Sequence, residues 1–202
     1  MKKTSLAAII CAMTAISPLF GQHMQSLRFS GPSSIDITTT NTFTLSVNLS
    51  FSGYSAYAFS HWLEVQCALA PFLTITDVIH YPPFPGATGV PIPFNGGGPD
   101  YCGEPSDLGA VSFPMQVPPG KYHVSDITFM LAPGTPLGMY DLRSTTTTPR
   151  ISSVSDTDFN DNALPAAHFT INIVPEPSTV ALLSLAAAGL GLMAYRRRKA
   201  AR

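Results

Sequence analysis

The ten residues Thr42-Phe43-Thr44-Leu45-Ser46-Val47-Asn48-Leu49-Ser50-Phe51 alternate without a fault. Phe43, Leu45, Val47, Leu49 and Phe51 fall on one face of an extended chain, and the Thr, Ser and Asn residues on the other, which is the period of a half-buried strand. On a helix the same polar residues would break any apolar stripe. A strand of this kind buries its apolar face only against a second layer, so the stretch commits its surroundings to packed β-structure.

The pattern repeats outward from there. Leu27-Arg28-Phe29 and Ile35-Asp36-Ile37 read as short strands on either side of Gly31-Pro32. From His61 to Leu69, the residues Leu63, Val65, Cys67 and Leu69 share one face, and Trp62, Glu64 and Gln66 the other. Phe72 to Ile79 is rich in β-branched residues and reads as a strand. Six prolines between Pro82 and Pro99, with Gly96-Gly97-Gly98, predict no regular structure until about Asp107. Leu108 to Phe113 resumes a strand. After the Pro118-Pro119-Gly120 turn, Tyr122 and Val124 keep one parity while Ile127, Phe129 and Leu131 keep the other, which a bulge at Ser125-Asp126 reconciles. Tyr140 and Leu142 follow the Pro133-Gly134 turn, and Phe169, Ile171 and Ile173 form the last strand. No window before residue 178 reads as helix. Eight or nine short strands between Pro/Gly turns predict an all-β chain, an antiparallel β-sandwich of immunoglobulin-like or jelly-roll type.

Both ends differ from this body. Met1-Lys2-Lys3 followed by the apolar run Leu6–Ile16 reads as a secretory signal peptide and signal helix over 1–21. At the other end, Pro175-Glu176-Pro177 precedes an uncharged run from Val180 to Tyr195, and Arg196, Arg197, Arg198 and Lys199 close it. Sixteen helical residues rise about 24 Å, short of the roughly 30 Å hydrocarbon core but enough for a transmembrane helix stopped by its basic cluster. Residues 22–174 remain as one domain.

That tripartite end, Pro-Glu-Pro, apolar helix and arginine cluster, resembles the PEP-CTERM sorting signal of exported bacterial proteins. The resemblance implies that an exosortase recognises Pro175, Glu176 and Pro177 in the segment 175–202, that the membrane holds the tail before processing, and that the protein reaches the envelope, outer surface or extracellular matrix. The strand-and-turn pattern over residues 40–143 is loosely similar to immunoglobulin-like and cohesin-like sandwich domains of bacterial surface proteins, a resemblance that carries no functional residues.

Seven of the eleven basic residues lie in the two terminal segments, while eleven of the twelve acidic ones lie between them, so residues 22–174 carry a net charge of −7. An acidic surface excludes nucleic acid as a partner. Arg28, Lys121, Arg143 and Arg150 are too scattered to form a basic patch. Cys67 and Cys102, an even pair in an exported domain, predict a disulfide; two free buried thiols are the alternative.

Candidate chemistry is sparse. Asp156, Asp158 and Asn160 alternate as in the first half of a calcium loop, but Asp161 stands where such loops need glycine and no Glu follows at the twelfth position. The competing reading is an acidic loop closed by Asx-turns. His61, His80, His123 and His168 form no close ligand pair, and no nucleophile elbow or phosphate loop is present. The expectation is therefore a non-catalytic structural or adhesive protein needing no cofactor, calcium being the one candidate. Two alternatives stand beside it. One is a carbohydrate-binding module for an extracellular polysaccharide, presenting Tyr54, Tyr57, Phe59, Trp62 and Tyr81. The other is a hydrolase with a dispersed site.

Overall fold

A computed structural model of the protein describes residues 24–86, 92–94, 100–103, 106–147, 149–175 and 182–190. The signal peptide expected over 1–21 lies outside the described residues. The strands in chain order are β1 (Gln25–Ser30), β2 (Ser34–Asp36), β3 (Thr42–Phe51), β4 (Ala56–Ser60), β5 (Leu63–Gln66), β6 (Leu73–His80), β7 (Ile92–Pro93), β8 (Tyr101–Gly103), β9 (Ala110–Val111), β10 (Gly120–Leu131), β11 (Gly138–Ser144), β12 (Thr146–Thr147), β13 (Arg150–Ile151), β14 (Ser153–Asp156), β15 (Asp161–Ala163) and β16 (His168–Val174).

They form a five-stranded sheet β1-β3-β10-β6-β7, a second of order β2-β16-β11-β5-β8, a four-stranded sheet β15-β14-β4-β9 and the small hairpin β12-β13. The inward residues of the three larger sheets, from Leu27 to Ile173, meet in a single buried cluster. The chain is all-β and layered, as the alternation predicts. The pairing is mostly antiparallel. One departure is β2, which runs parallel to β16 through Ile35↔Ile173.

Strand β3 is the centre of the largest sheet. Each of its odd-numbered residues from Phe43 to Phe51 is buried, and none of its even-numbered ones is. It pairs with β1 on one side and β10 on the other. In β10 the ladder slips between His123 and Ser125. Val124 and Ser125 are both buried there, and the inward set changes from even to odd. The expected bulge is thus present, one residue earlier than the parity alone places it.

Several expectations are revised. The Pro/Gly-rich stretch does hold β-structure, since β7 and β8 cap the edges of two sheets. Pro93 is tolerated because an edge strand leaves one row of donors unused. The Leu108–Phe113 strand shrinks to β9, and Ala70–Phe72 forms a single 3-10 turn opened by Pro71. Thr146 and Thr147, for which no strand is expected, pair with Ile151 and Arg150 in the hairpin β12-β13. Residues 182–190 are helical. Among the described residues no helix is long and apolar enough to cross a membrane. The rest of the expected transmembrane segment lies outside them.

Candidate functional site

Cys67 and Cys102 are joined, with Cα atoms 4.9 Å apart. The bridge lies beside the short ladder in which β8 pairs with β5, Val65 opposite Cys102. It fastens the end of the Pro/Gly-rich excursion to the sheet.

The loop 156–162 is organised around one carboxylate. Asp156 Oδ1 accepts the backbone N–H groups of Asp158 and Asn160, each at 2.9 Å. The Asn160 and Asn162 amides donate to Asp156 Oδ2 at 3.3 Å. Burial pushes this carboxyl up, but these donors outweigh it and hold the group below the usual carboxylate range. Asn160 therefore meets Asp156 through its amide nitrogen, as donor to acceptor, rather than as a second oxygen aimed at a cation. Asp158 contributes a backbone N–H to the turn. Among the described residues no three His, Cys, Asp or Glu side chains are placed to hold a metal. The geometry is that of the Asx-turn.

At the tip of that turn Phe159 takes φ 61°, the left-handed region that a bulky residue rarely enters. Its ring is 69% exposed and stacks on Tyr57 at 5.5 Å between centroids. Phe113, 64% exposed, meets Tyr57 edge-on at 5.3 Å. Three rings from β4, from the loop after β9 and from the β14–β15 turn thus form one exposed aromatic surface. Of the aromatics proposed for sugar binding, only Tyr57 belongs to it. Phe59 is a core residue, 2% exposed and packed edge-on against Phe84. Tyr54 packs on Phe51, and burial followed by the Asp156 charge pushes its phenol up to about 12. Trp62 lies under the Arg150 guanidinium at 5.5 Å. Tyr81 donates to Asp126 at 2.9 Å. In the sequence Phe113 reads only as the end of a strand and Phe159 only as an apolar residue in an acidic loop.

The histidines do not gather into a metal-holding group among the described residues, although His61 and His80 are neighbours. His61 is fully buried beside Phe29, and neither ring nitrogen has a hydrogen-bond partner. Burial, then the neighbouring His80, pushes it down to about 3. His123 pairs with Asp126 at 2.8 Å, and His168 with Asp141 at 2.9 Å. Glu64, read as a solvent-facing strand residue, pairs with Arg143 across β5 and β11 at 2.9 Å. The Arg143 guanidinium lies 3.6 Å from the Tyr101 ring centre.

Of the sorting residues, Pro175 directly follows β16; Glu176, Pro177 and the cluster Arg196, Arg197, Arg198 and Lys199 lie outside the described residues.

Residues 174–199 match the family model described as the PEP-CTERM protein-sorting motif. No curated protein matches the chain. Among solved structures, a cohesin module from a Clostridium perfringens family 33 glycoside hydrolase is similar at 9% identity and a TM-score of 0.52, over 76% of this chain and 99% of that one. A type I cohesin from Pseudobacteroides cellulosolvens is similar at 11% identity and a TM-score of 0.46, over 75% and 94%. The first of these fixes the fold as a cohesin-like β-sandwich. The tail is a protein-sorting signal, which makes this a protein exported to the cell envelope or surface.

Proposed function

We propose that the chain is a non-catalytic structural or adhesive domain, carried across the inner membrane, processed by an exosortase at the tail that begins at Pro175, and retained at the outer surface or in the extracellular matrix. The observation that carries this is the sorting motif directly following the last strand of a cohesin-like sandwich. Nothing separates β16 from the motif, so processing at the tail leaves the folded layers whole. Intact mass of the protein recovered from the producing cells tests it. The expected species lacks both the N-terminal leader and the arginine cluster, and deletion of residues 175–202 moves the protein to another fraction. A species that still ends in Arg202, or unchanged localisation after the deletion, would refute the proposal.

A second reading, a carbohydrate-binding module, is favoured by the Tyr57–Phe113–Phe159 surface, since exposed aromatic rings offer faces on which a sugar can stack. Retention on neutral glycans that Phe113→Ala and Phe159→Ala both abolish is its expected signature. A neutral glycan array without hits removes it.

A further inference from the structure

We infer that the outer face of the five-stranded sheet binds an acidic polysaccharide, with Arg28 and Lys121 taking its anionic groups. A cleft of about 840 Å³ lies on this face. Two in-register rows of polar side chains cross it. Ser26, Ser50 and Lys121 form one, on β1, β3 and β10; Arg28, Asn48 and His123 form the next. The perfect alternation of β3 produces these rows, because every residue it turns away from the core is a hydroxyl or an amide.

The charges decide the ligand. Residues 22–174 hold four fixed cations among eleven carboxylates. Arg143 is engaged by Glu64 and Tyr101, and Arg150 lies over Trp62. Among the described residues Arg28 and Lys121 have no ion-pair partner, and both line this one cleft. Spread along the sequence they looked unrelated; strand parity and register bring them together. Asp126, in the following row, already accepts from Ser46 at 2.7 Å, Tyr81 at 2.9 Å and His123 at 2.8 Å, and it is not among the residues that line the cleft.

Arg28 and Lys121 stand two strands and two residues apart, about 12 Å between Cα atoms. That spacing suits a polyuronate, whose carboxylates recur along a hydroxyl-rich chain, and Ser26, Asn48 and Ser50 are equipped to hydrogen-bond its hydroxyls. It does not suit a nucleic acid duplex, whose phosphates occur about every 1.7 Å of axis. A neutral glycan would leave the two cations unused.

The inference rests on the reading of an exported adhesive domain and is independent of the aromatic surface. The exported protein, as recovered from cells, is run through native gels containing polygalacturonate, with dextran gels as the neutral reference and a DNA duplex in a separate shift assay. Retardation by polygalacturonate alone is expected, relieved by salt. Arg28→Gln combined with Lys121→Gln should weaken it about ten-fold, and Lys121→Glu alone should weaken it in the same direction. The charge-matched pair Arg143→Gln/Arg150→Gln, shown folded by circular dichroism, should bind as the parent does. No retardation, equal retardation by dextran, preference for DNA, or an equal loss in the charge-matched pair would overturn the assignment. Export and trimming of the Arg28→Gln/Lys121→Gln protein, followed by intact mass, should be unchanged; a failure there counts against the sorting proposal and leaves the cleft to be judged by the gels.

Discussion

His61 is the residue whose burial has the clearest solution consequence. Unfolded, it takes up a proton as pH falls through its ordinary value of 6.5; folded, it stays neutral down to about 3. The unfolded chain therefore binds more protons across that window. Stability is fully present above pH 6.5 and is lost on acidification, by about 1.4 kcal/mol per pH unit from this group. His80 is shifted the same way, with burial the main cause and Asp107 opposing it. In denaturant titrations, His61→Leu should lose about 2 kcal/mol less than the parent between pH 8 and pH 5. At pH 8 the variant should be no less stable, since both ring nitrogens lack partners in the parent. Equal pH slopes would contradict the account. Phe159 makes the opposite case, a residue held in an unfavourable backbone region while its ring faces solvent. Phe159→Asn, which tolerates φ 61°, should raise stability by about 1 kcal/mol in thermal unfolding. A lower melting temperature would show that the ring contacts with Tyr57 and Phe113 outweigh the backbone cost.

At the scale of elements, the disulfide acts on β8. That strand has three residues, and Cys102 is bonded to Cys67 across a sequence separation of 35. Replacing both cysteines by serine should cost about 3–4 kcal/mol, read as a lower denaturant midpoint. A loss below about 1 kcal/mol would mean that the β8–β5 ladder holds without it. The elements legible in the sequence were those in which one face is buried: β3, β5, β6, β10 with its bulge, β11 and β16. Their parity is written in side-chain type because only one side meets the core. Of the unread ones, β4 has five residues whose burial does not alternate, and β7, β8 and β12 to β15 have two to four residues each. Segments so short contain less than a full alternation, and their pairing is decided by the strand that they dock on. The parallel β2–β16 pair was unreadable for the same reason, since no local signal distinguishes the two directions.

For the molecule as a whole, the sorting tail was legible because it is a contiguous motif. The two surface features were not, because each is assembled from segments far apart in the chain. Tyr57, Phe113 and Phe159 come from one strand and two connections, and Arg28 and Lys121 share a face only once β1 and β10 both flank β3. An inventory of basic residues along the chain measures the wrong distance; strand parity combined with register measures the right one.

Strand β16 lies between β11 on one side and β2 on the other, and Pro175 continues straight out of it. Traction arriving through the tail therefore runs along the strand axis and loads both ladders in shear. All their hydrogen bonds must yield together, instead of opening one at a time as in a peeled hairpin. Single-molecule stretching from the C-terminal end should accordingly meet one high rupture force before any extension; gradual unzipping would show that the β2 flank bears no load.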